Sequence, residues 1–190
     1  MVRGTFVKFM VRTVKRYEGA AADQLRSAFP DELRARIREV PRLAWVPAEL
    51  LRETYEAIYR AVGHEEARNV WRAFYTECID LPLVKPLASS GLALFGRNPA
   101  GLIRRTPQAW SLVTRHCGQM ACEDGASKQE LKFLARNLPD AMRTRAFAVS
   151  FEGGFTAQID FVGFQGSVDT DLARLSDGEI ACHIAWQPRD

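Results

Sequence analysis

The sequence predicts an α+β protein, with an N-terminal multi-helix lobe followed by a ββαββ unit whose strands form a four-stranded antiparallel sheet. Three observations carry this prediction. Apolar residues recur at helical spacing through residues 1–115. Turn clusters at 123–127 and at Ser176-Asp177-Gly178 each divide two short segments of strand character. A long run rich in aromatic and small residues, opening at Pro139-Asp140, lies between these two hairpins. No internal repeat or low-complexity linker separates the halves. The 190 residues therefore read as a single domain with a helical lobe at about 1–115 and a sheet-plus-helix lobe at about 116–190.

The elements follow in order. Val2, Phe6, Phe9, Met10, Val14 and Tyr17 make the apolar stripe of a first helix whose polar positions are basic. Gly19 breaks it, and a second helix is predicted at 20–29. Pro30-Asp31 restarts a third, across 32–40, and Pro41 ends it. Trp45-Val46-Pro47 is read as the opening of a fourth helix, with Gly63 as its stop. His64-Glu65-Glu66 then begins another, carried inward by Val70, Trp71, Phe74, Tyr75 and Cys78. Residues 83–95 form a further apolar helix closed by Gly96. Asn98-Pro99 starts a helix at about 100–115 that Pro107 kinks or breaks. Strands are predicted at 116–123 and 128–137, then a helix from Pro139, then strands at 166–175 and 179–187. In the last of these Ile180, Cys182, Ile184 and Trp186 share a face, opposite Ala181, His183 and Ala185.

Composition excludes several classes. With 47% hydrophobic and 26% charged residues, the chain is neither disordered nor a disulfide miniprotein. A net charge of +3 is too mild to indicate nucleic acid, and no helix-turn-helix or stacking motif supports it. No stretch approaches the ~18–20 continuous apolar residues of a membrane span. Lys8 and Arg12 interrupt the N-terminal apolar residues and no signal cleavage site follows, so a cytoplasmic protein is expected. Cys78, Cys117, Cys122 and Cys182 are then expected to be free thiols. The basic first helix would suit an anionic membrane surface, but docking on its own domain is favoured.

The landmarks Trp45-Val46-Pro47, Gly63, Pro99, Pro107 to Trp110, Leu138-Pro139, Phe151-Glu152-Gly153-Gly154 and Ile184-Ala185-Trp186 resemble a family of paralogous proteins of about 200 residues from myxobacteria and related bacteria. None of these residues is catalytic. The helices-then-ββαββ plan is also similar to the fold of haem nitric-oxide-binding domains, vinyl-reductase-like ligand domains and Bet3-type subunits of vesicle-tethering complexes. That resemblance implies a helical lobe on a small sheet, an internal ligand pocket and frequent dimerisation. The haem-binding relatives carry a Tyr-x-Ser-x-Arg pattern and a proximal histidine before the sheet. The first is absent here, and the histidines are His64, His116 and His183.

Candidate chemistry is sparse. His116-Cys117 with Cys122, and Cys182-His183, are donor types for zinc, but neither spacing is a standard one and neighbours on a strand face opposite ways. No metal site and no cofactor are assigned. A nucleophile elbow, a phosphate loop and a converging acid–base pair are all missing, so no catalytic residue is assigned and the protein is expected not to be an enzyme. Arg97, Arg104, Arg105 and Arg115 read as a solvated helix face before an anion site. Phe147, Phe151, Phe155, Phe161 and Trp186, with Trp71, Phe74 and Tyr75, make either core or pocket. Adjacent glycines inside a helix cost roughly 1 kcal/mol each against alanine, and their usual reason is close approach by another backbone, or a kink. Phe151, Gly153, Gly154, Phe155 and Trp186 are therefore the candidate ligand-binding residues. The expected function is a non-catalytic regulatory or scaffold module that binds a small apolar ligand or a protein partner in a helix–sheet groove. The alternatives are a homodimerising protein–protein interaction module without ligand and, third, a metal- or haem-containing sensor.

Overall fold

The structure, a computed structural model, describes residues 1–41, 43–82 and 84–189. Helix α8 (Arg145–Phe161) lies at its centre. Its sequence, RAFAVSFEGGFTAQIDF, is small or apolar on every side, which is the pattern of a helix surrounded by protein. Every residue from Ala146 to Phe155 is buried. The Thr144 hydroxyl accepts from the Phe147 amide at 3.1 Å and so caps the helix.

One side of α8 packs on α4 (Ala48–Ile79). The other lies against the sheet, whose strands are β3 (Gln119–Asp124), β4 (Glu130–Arg136), β5 (Phe164–Asp171) and β6 (Ile180–Pro188). Their order is β3-β4-β6-β5, all antiparallel, so each predicted hairpin is a neighbouring pair and β4 joins β6 at the centre. Alternation places Leu131, Phe133, Ile180, Cys182, Ile184 and Trp186 in the core and His183 outside. Phe133 pairs with Cys182 in the ladder and packs on Phe151 and Phe155 of α8, ring centroids 5.3 and 4.8 Å apart.

The N-terminal lobe departs from the sequence reading in a few places. Val2–Arg3 (β1) and Trp45–Val46 (β2) pair as a short antiparallel ribbon, so Trp45-Val46 is extended rather than helical. Pro47 is the reason: it disfavours helical backbone in the residue before it, and α4 begins after it at Ala48. The first helix, α1 (Gly4–Arg16), turns its apolar face into the core, burying Phe6, Val7, Phe9, Met10 and Val14. Phe6 meets Phe74 edge-on at 5.3 Å. Helices α2 (Ala22–Ser27) and α3 (Asp31–Glu39) follow as expected.

Gly63 ends the first half of α4, as its position in the sequence suggests: at φ 75° and ψ −176° it is not helical, and a second helical segment follows directly, so that α4 is two helices joined at a kink. Tyr55 and Trp71, from either side of that kink, stack at 4.2 Å. Helix α5 (Lys85–Phe95) ends at Gly96, while the predicted first residue, Leu83, lies outside the described residues. The helix predicted at 100–115 is two, α6 (Pro99–Ile103) and α7 (Thr106–Val113). Its break falls before Pro107, which occupies the first turn of α7, where a missing N–H is harmless. Pro139 opens only a 3-10 turn, Asp140–Met142, before α8 starts. The connection within the last hairpin is also longer than expected. β5 stops at Asp171, and a 3-10 turn at Leu175–Asp177 precedes Gly178 in the left-handed region, φ 79°.

Candidate functional site

A cavity of about 460 Å³ lies between α8 and the helices of the N-terminal lobe, within the range of small-molecule sites. Ser150, Phe151, Gly154, Phe155 and Gln158 line it from α8. Their spacing of three and four puts them on one helix face, and from Ser150 to Gln158 that face spans about 12 Å. Tyr75, Cys78 and Ile79 line it from α4, and residues of α6 and α7, Trp110 among them, close the opposite side. The sheet contributes only Met120 of β3, so the cavity is chiefly a space among helices.

Three of the sequence-selected residues, Phe151, Gly154 and Phe155, line this cavity; Gly153 and Trp186 lie elsewhere. A Cβ on Gly153 would stand 2.4 Å from the Arg68 carbonyl oxygen and 2.7 Å from the Arg72 nitrogen, so Gly153 is where α8 meets the α4 backbone. A Cβ on Gly154 would meet the Tyr75 ring at 3.0 Å. Trp186 is buried on the core face of β6. Trp71, Phe74 and Phe147 belong to the core, and Phe161 is partly exposed.

Sequence reasoning missed the few polar groups of the cavity. Gln158 donates from Nε2 to the Thr106 hydroxyl at 3.1 Å, joining α8 to α7. Ser150 and Gln158 recur with Gly154 at intervals of four, a signal present in the sequence but overshadowed by the aromatic residues. Arg105, counted with three other arginines as one helix face, instead lines the cavity between α6 and α7. Arg104 pairs with Asp124, and Arg115 lies over the Trp45 ring at 4.1 Å. The break between α6 and α7 is what parts them.

Burial sets the protonation of the lining. It raises the phenols of Tyr55 and Tyr75 and the thiol of Cys78 above their ordinary ranges, so all three stay neutral at physiological pH. The Tyr55 hydroxyl is wholly buried, beside the Tyr75 and Ser150 side chains that line the cavity. Among the described residues, Arg3 and Arg105 are the charged ones that line the cavity, and no aspartate or glutamate joins them.

The other candidates are dispersed. Among the described residues no group of three histidine, cysteine, aspartate or glutamate side chains is placed to hold a metal ion. His116 occupies a left-handed turn position, φ 54°, and His183 and Cys182 face opposite sides of β6. His64 Nε2 lies 2.9 Å from Oε2 of Glu152, a buried carboxylate on α8. His64→Ala should destabilise the protein by about 1–3 kcal/mol in urea unfolding, because it leaves that carboxylate without its partner. All four cysteines are free. Burial pushes the Cys122 thiol up to about 11, against a smaller opposing effect of Arg104, and the Cys182 thiol up to about 12. Both should react with a disulfide reagent at pH 8 far more slowly in the native protein than after unfolding in guanidinium. The sign for stability follows. The folded state disfavours these thiolates, so stability is full below the ordinary thiol value of 9.0 and is lost as pH rises through the folded values. An alkaline unfolding series checks it.

No family model matches the sequence, and no curated relative does. Solved structures do match. The chain is similar to a point mutant of the Fe(II) unliganded H-NOX protein from K. algicida, with a TM-score of 0.67 at 8% identity, covering 98% of this chain and 97% of that one. It is similar to a point mutant of the T. tengcongensis H-NOX, with a TM-score of 0.59 at 16% identity and coverage of 99% and 100%. A third similar structure comes from a study of haem distortion in the H-NOX family, with a TM-score of 0.58 at 15% identity and coverage of 99% and 95%. No histidine lines the cavity, and its phenol and thiol donors are held protonated by burial. Strand β4 reads ELKFLAR, without the Tyr-x-Ser-x-Arg pattern. The residues of this chain do not fit a histidine-ligated haem. Across nearly its whole length the chain has the fold of the haem nitric-oxide-binding domains, and identities this low carry the fold alone.

Proposed function

We propose that this protein is a non-catalytic regulatory module that takes up one small apolar ligand in the cavity beside α8, in place of a histidine-ligated haem. The cavity carries this reading. It has the volume of a small-molecule site, a lining of aliphatic and aromatic side chains, and a few polar groups at defined positions. Gly154 keeps one wall free of a side chain where the aromatic neighbours crowd most. The Cys78 thiol is neutral and joined by no general base, which supports a binding role over catalysis. The resemblance to the myxobacterial family rests on scattered structural residues and adds no site. No helix among the described residues is long and apolar enough to cross a membrane.

The test is a fluorescence titration with N-phenyl-1-naphthylamine, a neutral apolar probe. Saturable one-to-one binding with blue-shifted emission is expected, and haemin should give no histidine-ligated Soret band. Absence of saturable binding, or such a band, would overturn the reading. A dimer that takes up no probe would favour the homodimerising interaction module instead.

A further inference from the structure

We infer that the ligand is an apolar molecule bearing one anionic group, and that Arg105 receives that group while the hydrocarbon part lies along α8. This rests on the cavity being a ligand site, as proposed above. Arg105 lines the cavity, and its Nε is buried without a hydrogen-bond partner. One of its terminal nitrogens donates to Gln108 at 3.0 Å, and no carboxylate pairs with it among the described residues. The neighbouring arginine, Arg104, is by contrast paired with Asp124. A buried guanidinium N–H left unmade is costly, and a charge-assisted bond to an anion is the strongest way to satisfy it.

The rest of the lining agrees in sign. Arg3, the other cation, already donates to the Leu43 carbonyl and lies over the Trp45 ring. The titratable groups beside these, Tyr75 and Cys78, are neutral. An apolar cavity whose described lining carries positive charge and no aspartate or glutamate favours an anion over a neutral or cationic molecule of the same shape. The Thr106–Gln158 hydrogen bond lies on the residue next to Arg105, so one polar region sits there. From Gln158 the α8 face then continues through Phe155, Gly154 and Phe151 to Ser150, about 12 Å of mostly apolar wall for a hydrocarbon segment.

Decanoate and decan-1-ol separate charge from apolar fit, with N-phenyl-1-naphthylamine as the displaced probe. Wild-type protein should release the probe to decanoate at about tenfold lower concentration, or less, than to decanol. Arg105→Gln should still bind the probe and should lose the preference for the acid, while Arg105→Lys should keep most of it. Circular dichroism checks that each variant is folded. If the probe binds and decanoate and decanol displace it equally, the inference fails and the cavity reading stands. If Arg105→Gln keeps the preference, the anion sits elsewhere and the inference also fails. If the probe does not bind wild-type protein, the cavity reading itself fails and this inference falls with it.

Discussion

Gly153→Ala should destabilise the protein by a net of about 2 kcal/mol in urea unfolding, although alanine is the better helix former. The Cβ it adds would stand 2.4 Å from the Arg68 carbonyl oxygen and 2.6 Å from Trp71 Cβ. Both belong to α4, and neither atom is the mobile end of a side chain, so the two helices must separate. Overpacking of this kind costs about 3 kcal/mol, against about 1 kcal/mol regained from helix propensity. Gly153→Val should not fold. Gly154→Ala is the control, because the atoms nearest its Cβ belong to the Tyr75 ring, at 3.0 Å and beyond, and not to the α4 backbone. It should leave stability within about 1 kcal/mol of wild type. Equal stability of Gly153→Ala and wild type would mean that α4 and α8 do not pack as described.

Gly154→Leu should act on function where Gly153 acts on stability. Position 154 faces the cavity between Phe151, Phe155 and Tyr75, so a leucine side chain fills the space that a ligand needs. Affinity for N-phenyl-1-naphthylamine should fall at least tenfold, while far-UV circular dichroism and a cooperative unfolding transition are retained. Unchanged affinity would place the probe outside the cavity.

These two glycines also show what the sequence discloses. Adjacent glycines in a helical run announce a close approach, but not by what. Their neighbours in space come from α4, some eighty residues earlier in the chain, and no local pattern carries that pairing. The sheet was legible because alternation is local: Ile180, Cys182, Ile184 and Trp186 fall on one face by counting alone. The β1–β2 ribbon was not, because each strand has two residues and gains its meaning from a partner about forty positions away. Gly63 was legible for the same local reason as the sheet: a glycine after an apolar helical stripe reads as a stop, and the chain leaves helical geometry there before a second helical segment begins. Within the site, the aromatic wall was visible as composition. Arg105 was not, because its separation from Arg104 depends on where the helix breaks, and Pro107 moved that break ahead of itself.

The most direct test of the central claim is native mass spectrometry beside denaturing mass spectrometry, on freshly purified protein and again after addition of N-phenyl-1-naphthylamine. The account predicts a single organic adduct per chain, native or supplied, that is lost on denaturation. Bound haem, or an apo mass that the apolar probe never shifts, would contradict it.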